Sequence, residues 1–125
     1  MDTDSPFQIK RIYDPSAPDD GTRVLVDRLW PRGVSKERAA LDDWLKDVAP
    51  STDLRRWFHH EQAHFQVFAL KYRDELAHIP AAQAAIQKLL DMAKKGRVTL
   101  LYAARDPDIN HAVVLRDYLQ QYLPL

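Results

Sequence analysis

The chain has 125 residues, with 18 basic and 18 acidic side chains and a formal net charge of zero. A length of this order suits one core, and balanced charge removes the long-range pull on polyanions that a basic protein exerts. Cysteine is absent, which excludes disulfides, thiolate metal sites and cysteine nucleophiles and fits a reducing cytoplasm.

Residues 1–6 are polar, lack the basic and apolar segments of a signal peptide, and are expected to fray. Phe7 to Tyr13 reads as a first strand, with Ile9 and Arg11 facing away from Lys10 and Ile12. Pro15, Pro18 and Asp20-Gly21 mark a loop. Arg23 to Leu29 reads as a second strand, apolar at its centre and stopped by Pro31 and Gly33.

Ser35 is placed to cap a helix that carries Leu41, Trp44, Leu45 and Val48 at helical spacing and ends at Pro50. Ser51 or Thr52 caps a short helix through Leu54, Trp57 and Phe58. Phe65, Phe68, Tyr72 and Leu76 predict a longer amphipathic helix. Pro80 opens another, stopped at Gly96. Arg97 to Ala103 reads as a strand, and a last helix is expected from near Asp108.

The order strand, strand, helices, strand, helix predicts an α/β fold: a small, mostly parallel sheet of three or four strands covered by helices, in Rossmann-like layering, as one domain over residues 7–125. The first two strands could pair antiparallel, since only a loop joins them. No apolar run approaches the ~20 residues of a membrane span, so a cytoplasmic protein is expected.

Two apolar strands each run into a charged cluster. Val24-Leu25-Val26 leads to Asp27, Arg28 and Arg32, and the apolar run from Val98 to Ala104 leads to Arg105, Asp106, Asn110 and His111. Ligands of parallel α/β folds bind where strand ends open into loops. A guanidinium grips phosphate or carboxylate through a planar fork of donors. Arg11, Arg28, Arg32 and Arg105, with Asn110, Trp30 and Tyr102, are therefore the expected ligand-binding residues. Salt bridges to Asp14, Asp27 and Asp106 are the bland alternative for the arginines. His111 is the expected acid–base, oriented by Asp27 or Asp106.

The stretches Ile9-Lys10-Arg11-Ile12-Tyr13-Asp14, Arg23 through Gly33, Trp44-Leu45, Ala49-Pro50-Ser51, Leu54-Arg55, Trp57-Phe58, Phe65, Phe68, Tyr72, Thr99 through Asp106, and Asn110-His111-Ala112 are shared with a known pattern. On them the chain resembles the YeaO-like family, a small bacterial domain of unknown function. The resemblance covers nearly the whole chain and implies an α/β fold without a settled reaction. Similar domains often carry Cys where this chain has Asn110, and Asn110 could not replace a thiol nucleophile.

The leading expectation is a small anionic ligand, a nucleotide or phosphorylated metabolite, in an Arg/Asp/His pocket, with His acid–base chemistry if the protein is an enzyme. A non-catalytic module for nucleic acid or protein is the first alternative. The second is a zinc protein, because His60-Glu61-Gln62-Ala63-His64 spells the H-E-x-x-H signature. Against zinc stand the flanking aromatics and the want of a good third ligand, so no metal is expected. No Gly-rich phosphate loop or G-x-S-x-G elbow is present, and no cofactor is implied.

Overall fold

A computed structural model describes residues 5–59 and 61–124. Its strands are β1 (Phe7–Arg11), β2 (Thr22–Leu25), β3 (Asp43–Trp44) and β4 (Val98–Tyr102). The helices are α1 (Lys36–Ala39), α2 (Thr52–Phe58), α3 (Phe65–His78), α4 (Pro80–Ala93) and α5 (His111–Leu119). The sheet order is β1-β4-β2-β3 and every pairing is parallel. This is a small α/β fold.

The antiparallel pairing of the first two strands does not occur. Strand β4 lies between them, with Ile9 and Val24 both in register with Leu100. Gly21 permits the tight entry to β2. Its φ is +64°, and a Cβ there would come 2.2 Å from the Arg97 carbonyl oxygen. Thr22 N–H donates to that same carbonyl at 2.9 Å, so the starts of β2 and β4 are clamped together.

Alternation along the strands divides the core in two. Phe7, Val24, Val98, Leu100 and Tyr102 belong to the larger cluster with Phe68, Tyr72, Leu89 and Leu115 from the helices. Ile12, Leu25 and Leu101 form a smaller cluster with Val34 and Ala39. The layering is thus uneven: the long helices share one cluster with the sheet, while α1 and its flanking loops supply the other.

The long helix expected between Ser35 and Pro50 is replaced by three pieces. Helix α1 stops because Ala40 enters the left-handed region at φ 48° and ψ 49°. Asp42 N–H then donates to the Arg23 carbonyl at 2.8 Å, and Leu45 N–H to that of Leu25 at 3.0 Å. These bonds satisfy the open edge of β2, and Trp44 packs edge-on against Trp30 at 5.4 Å. A 3-10 turn, Lys46–Val48, completes the segment. Helical spacing of apolar residues lost here to hydrogen bonding along a sheet edge.

Other corrections are at boundaries. The strands are shorter than expected, although Ile12 N–H and Val26 N–H each donate once more, to the carbonyls of Tyr102 and Leu101. Of the expected frayed end, residues 1–4 lie outside the described residues, and the Pro6 carbonyl accepts from Val98 N–H at 2.8 Å. Helix α5 begins at His111, because the Asn110 side chain caps it by accepting from Val113 N–H. Asp106 instead closes the preceding turn through Asp108 N–H and Ile109 N–H.

Candidate functional site

The ends of β2 and β4 open into one cleft of about 630 Å³. A volume of this size falls within the ~300–1,000 Å³ typical of small-molecule pockets. Asp27 and Arg28 reach it from the β2 side, Arg105 and Asp106 from the β4 side, and His111 from the first turn of α5. The eighty-residue separation in sequence closes because β2 and β4 are hydrogen-bonded neighbours.

Asp27 joins the two strand ends. Its Oδ2 accepts from Ala103 N–H at 3.1 Å, while its carbonyl accepts from the Trp44 indole at 2.6 Å. His111 Nε2 stands 3.0 Å from Asp27 Oδ1 and 3.1 Å from the Val26 carbonyl. Two acceptors in front of one ring nitrogen place the imidazole hydrogen on Nε2. The contact to Oδ1 has ion-pair distance without hydrogen-bond geometry, and Oδ1 is buried with no donor among the described residues. Nδ1 of His111 makes no hydrogen bond among those residues, so its lone pair is the ring's free acceptor.

The guanidinium of Arg28 is held by backbone oxygens, donating from Nε to Pro50 at 3.2 Å and from Nη2 to Ala49 at 3.1 Å. Among the described residues no carboxylate pairs with it, so its charge is positioned without being neutralised there. Arg55 and Arg56 join Arg28 and Arg105 on the cleft wall. Among the described residues Arg55, Arg56 and Arg105 make no side-chain hydrogen bond and no ion pair. The bland expectation, that the cleft arginines pair with Asp14, Asp27 and Asp106, is therefore not what the structure contains.

Arg55 and Arg56 were not among the expected site residues. They sit on α2, which Ser51 caps at Leu54 N–H while Glu75 of α3 holds Ser51 through both its N–H and its hydroxyl. Phe58 stacks on Phe68 at 4.2 Å at the other end of α2. Their one-dimensional signal was the Arg-Arg step between the apolar Leu54 and Trp57-Phe58, which assigns them to the side of the helix away from the core. His59 also lines the cleft, in the left-handed conformation that ends α2.

Five expected residues lie outside the lining. Arg11 donates to the carbonyls of Ala104 at 2.9 Å and Ala103 at 3.4 Å, so it shapes the end of β4 from behind. Arg32 is exposed, and its carbonyl accepts from the Tyr13 hydroxyl. Trp30 donates to the Val34 carbonyl at 2.7 Å within the smaller cluster. Tyr102 is buried in the larger one, where desolvation pushes its hydroxyl pKa up. Asn110 is fully buried and spends its amide on Val113 N–H and the Asp106 carbonyl. It offers the cleft no nucleophile.

The H-E-x-x-H stretch does not form one helical turn. His60 lies outside the described residues, Glu61 is extended at φ −81° and ψ 117°, and Gln62–His64 is a 3-10 turn. His64 stacks on Trp57 at 4.8 Å. Among the described residues no group of three or more metal-ligating side chains converges, and no helix is long and apolar enough to cross a membrane.

The fold and cleft together define a small parallel α/β protein with an arginine-walled pocket at its strand ends. The chain belongs to the family described as the inactive DUF488-N3 subclade, whose model matches residues 6–124. It is 48% identical to the uncharacterized protein YeaO of Escherichia coli strain K12 over 114 residues, covering 91% of this chain and 96% of that one. It is 44% identical to the uncharacterized protein Rv3073c of Mycobacterium tuberculosis strain H37Rv, over 90% of this chain and 92% of that one. No solved structure matches the chain.

Proposed function

We propose that the cleft binds a small anionic ligand, a nucleotide or phosphorylated metabolite, in a cytoplasmic bacterial protein. The observation that carries this reading is the cleft's four arginines, none of which has a carboxylate partner among the described residues. In a chain of zero net charge, such local concentration of unspent cations favours a compact anion over a long polyanion. Arg28 is already oriented by two carbonyls, so little of its freedom remains to be lost on binding.

The pair formed by His111 and Asp27 adds a directional group. With its hydrogen on Nε2, the ring offers Nδ1 as an acceptor for a ligand hydroxyl or amide. The subclade is described as inactive, which favours retention of the ligand over its turnover. Proton transfer by His111 is the second reading, favoured by the 3.0 Å approach of its ring to Asp27.

Calorimetry with a panel of nucleotides and sugar phosphates tests the binding. Losing two charge-assisted contacts in the Arg28→Ala/Arg105→Ala variant should weaken the best ligand by at least about a hundredfold, and added salt should weaken the wild type. Equal affinity of variant and wild type would overturn the assignment. Product analysis of the same mixtures reports on proton transfer: conversion lost in His111→Gln establishes the second reading, and an unchanged ligand rejects it.

A further inference from the structure

Resting on the anion-binding reading, we infer that the ligand is a phosphomonoester carrying an apolar or planar body, and that phosphodiesters and free phosphate are discriminated against. The first argument is charge. Among the described residues, Arg28, Arg55, Arg56 and Arg105 line the cleft with only Asp27 and Asp106 as acidic counterparts. Four guanidiniums against two carboxylates leave two positive charges, and both carboxylates already accept from backbone N–H groups: Asp27 from Ala103, and Asp106 from Asp108 and Ile109. A phosphomonoester above its second ionisation, near pH ~6, carries close to two negative charges and three terminal acceptor oxygens. A diester carries one charge and two terminal oxygens, so it leaves one surplus cation and fewer acceptors for the guanidinium forks.

The second argument is the rest of the wall. Half-buried Ala103, Ala104 and Ile109 line the cleft beside the arginines, over the buried Pro50, Phe58 and Phe68, and Leu29 in the same lining is 64% exposed, a large apolar side chain left in water. At about 630 Å³ the space is far larger than one phosphate group needs. Apolar surface of the ligand gains by displacing water there, whereas inorganic phosphate takes only the ionic contacts. Nucleoside monophosphates belong to the inferred class. Nucleic-acid backbones, built of internal diesters, do not.

Calorimetric titration of the wild-type protein with phenyl phosphate, methyl phenyl phosphate and inorganic phosphate separates the two arguments. Phenyl phosphate should bind at least about tenfold tighter than either of the others, and its affinity should fall as pH drops below about 6, following the ligand's own ionisation. Equal binding of the diester would sink the charge argument, and equal binding of inorganic phosphate would sink the apolar one. In both cases salt-sensitive anion binding survives, and the broader reading with it. Absence of binding by all three probes overturns the inference, and the nucleotide and sugar-phosphate panel then decides the broader reading separately.

Discussion

Replacing Asp27 by asparagine puts one donor too many between two fixed neighbours. In the wild type, Asp27 Oδ2 accepts from Ala103 N–H and Oδ1 faces His111 Nε2 at 3.0 Å. An amide can turn its oxygen toward only one of them. The backbone N–H cannot move its hydrogen, but the imidazole can, so the amide oxygen stays on Ala103 and its NH2 meets Nε2. The imidazole hydrogen then transfers to Nδ1, and Nε2 gives up its bond to the Val26 carbonyl. Hydrogen bonds to charged groups contribute about 1.5–3 kcal/mol and neutral ones about 0.5–1.5, so the loss is roughly 1–1.5 kcal/mol. With an unfolding entropy of about 2 cal/mol/K per residue, a chain of 125 residues loses about 4 °C per kcal/mol, giving a fall of roughly 4–6 °C. Asp27→Ala leaves Ala103 N–H with no acceptor and should fall further. Long-range proton–nitrogen NMR correlations of the imidazole report the tautomer, and thermal unfolding reports the midpoint. A hydrogen that stays on Nε2 in Asp27→Asn, with the midpoint within about 1 °C of wild type, would refute this account of the His111–Asp27 pair.

Two further outcomes concern stability. Asp20 is 2% exposed. Desolvation on its own would raise its pKa, but hydrogen bonds from Ala17 N–H, Lys10 and Arg23 win and hold the carboxyl below its ordinary value. A lowered folded pKa means that its stabilisation is present above the unfolded value of about 3.9 and is lost as pH falls through the lower folded one; Asp20→Asn should therefore flatten the acid limb of a pH-dependent unfolding curve, and an unaltered limb would count against the buried network. Asn110→Ala removes both the cap on Val113 N–H and the bond to the Asp106 carbonyl, at a cost of about 1–3 kcal/mol in denaturant unfolding. Asn110→Asp keeps the acceptor and should recover part of that cost, and equal stability of both variants with wild type would overturn the capping role.

Much of the candidate cleft's lining was legible because its residue types cluster locally in the chain. The pattern of an apolar strand followed by a charged cluster identified Asp27, Arg28, Arg105, Asp106 and His111, all of which line the cleft. Arg55 and Arg56 could not be found that way. Their helix faces the strand ends only because Glu75 and Phe68 of α3 fix its place. Trp30 and Arg32 were expected at the cleft because they follow Arg28 in sequence. The chain turns away after Leu29, and Trp30 packs on Trp44 at the β3 side of the sheet.

The amino-acid sequence by itself determined the apolar strands β2 and β4, the amphipathic helices α3 and α4, and the residue types at the strand ends. Those features depend on periodicity and side-chain chemistry along a few consecutive residues. Only the tertiary structure decided the β1-β4-β2-β3 order, the conversion of a helical-looking segment into an edge strand, and the pairing of His111 with Asp27. Each of these depends on a polar group meeting a partner from a different element of the chain, and the strength of such a contact is set by geometry that local sequence does not encode.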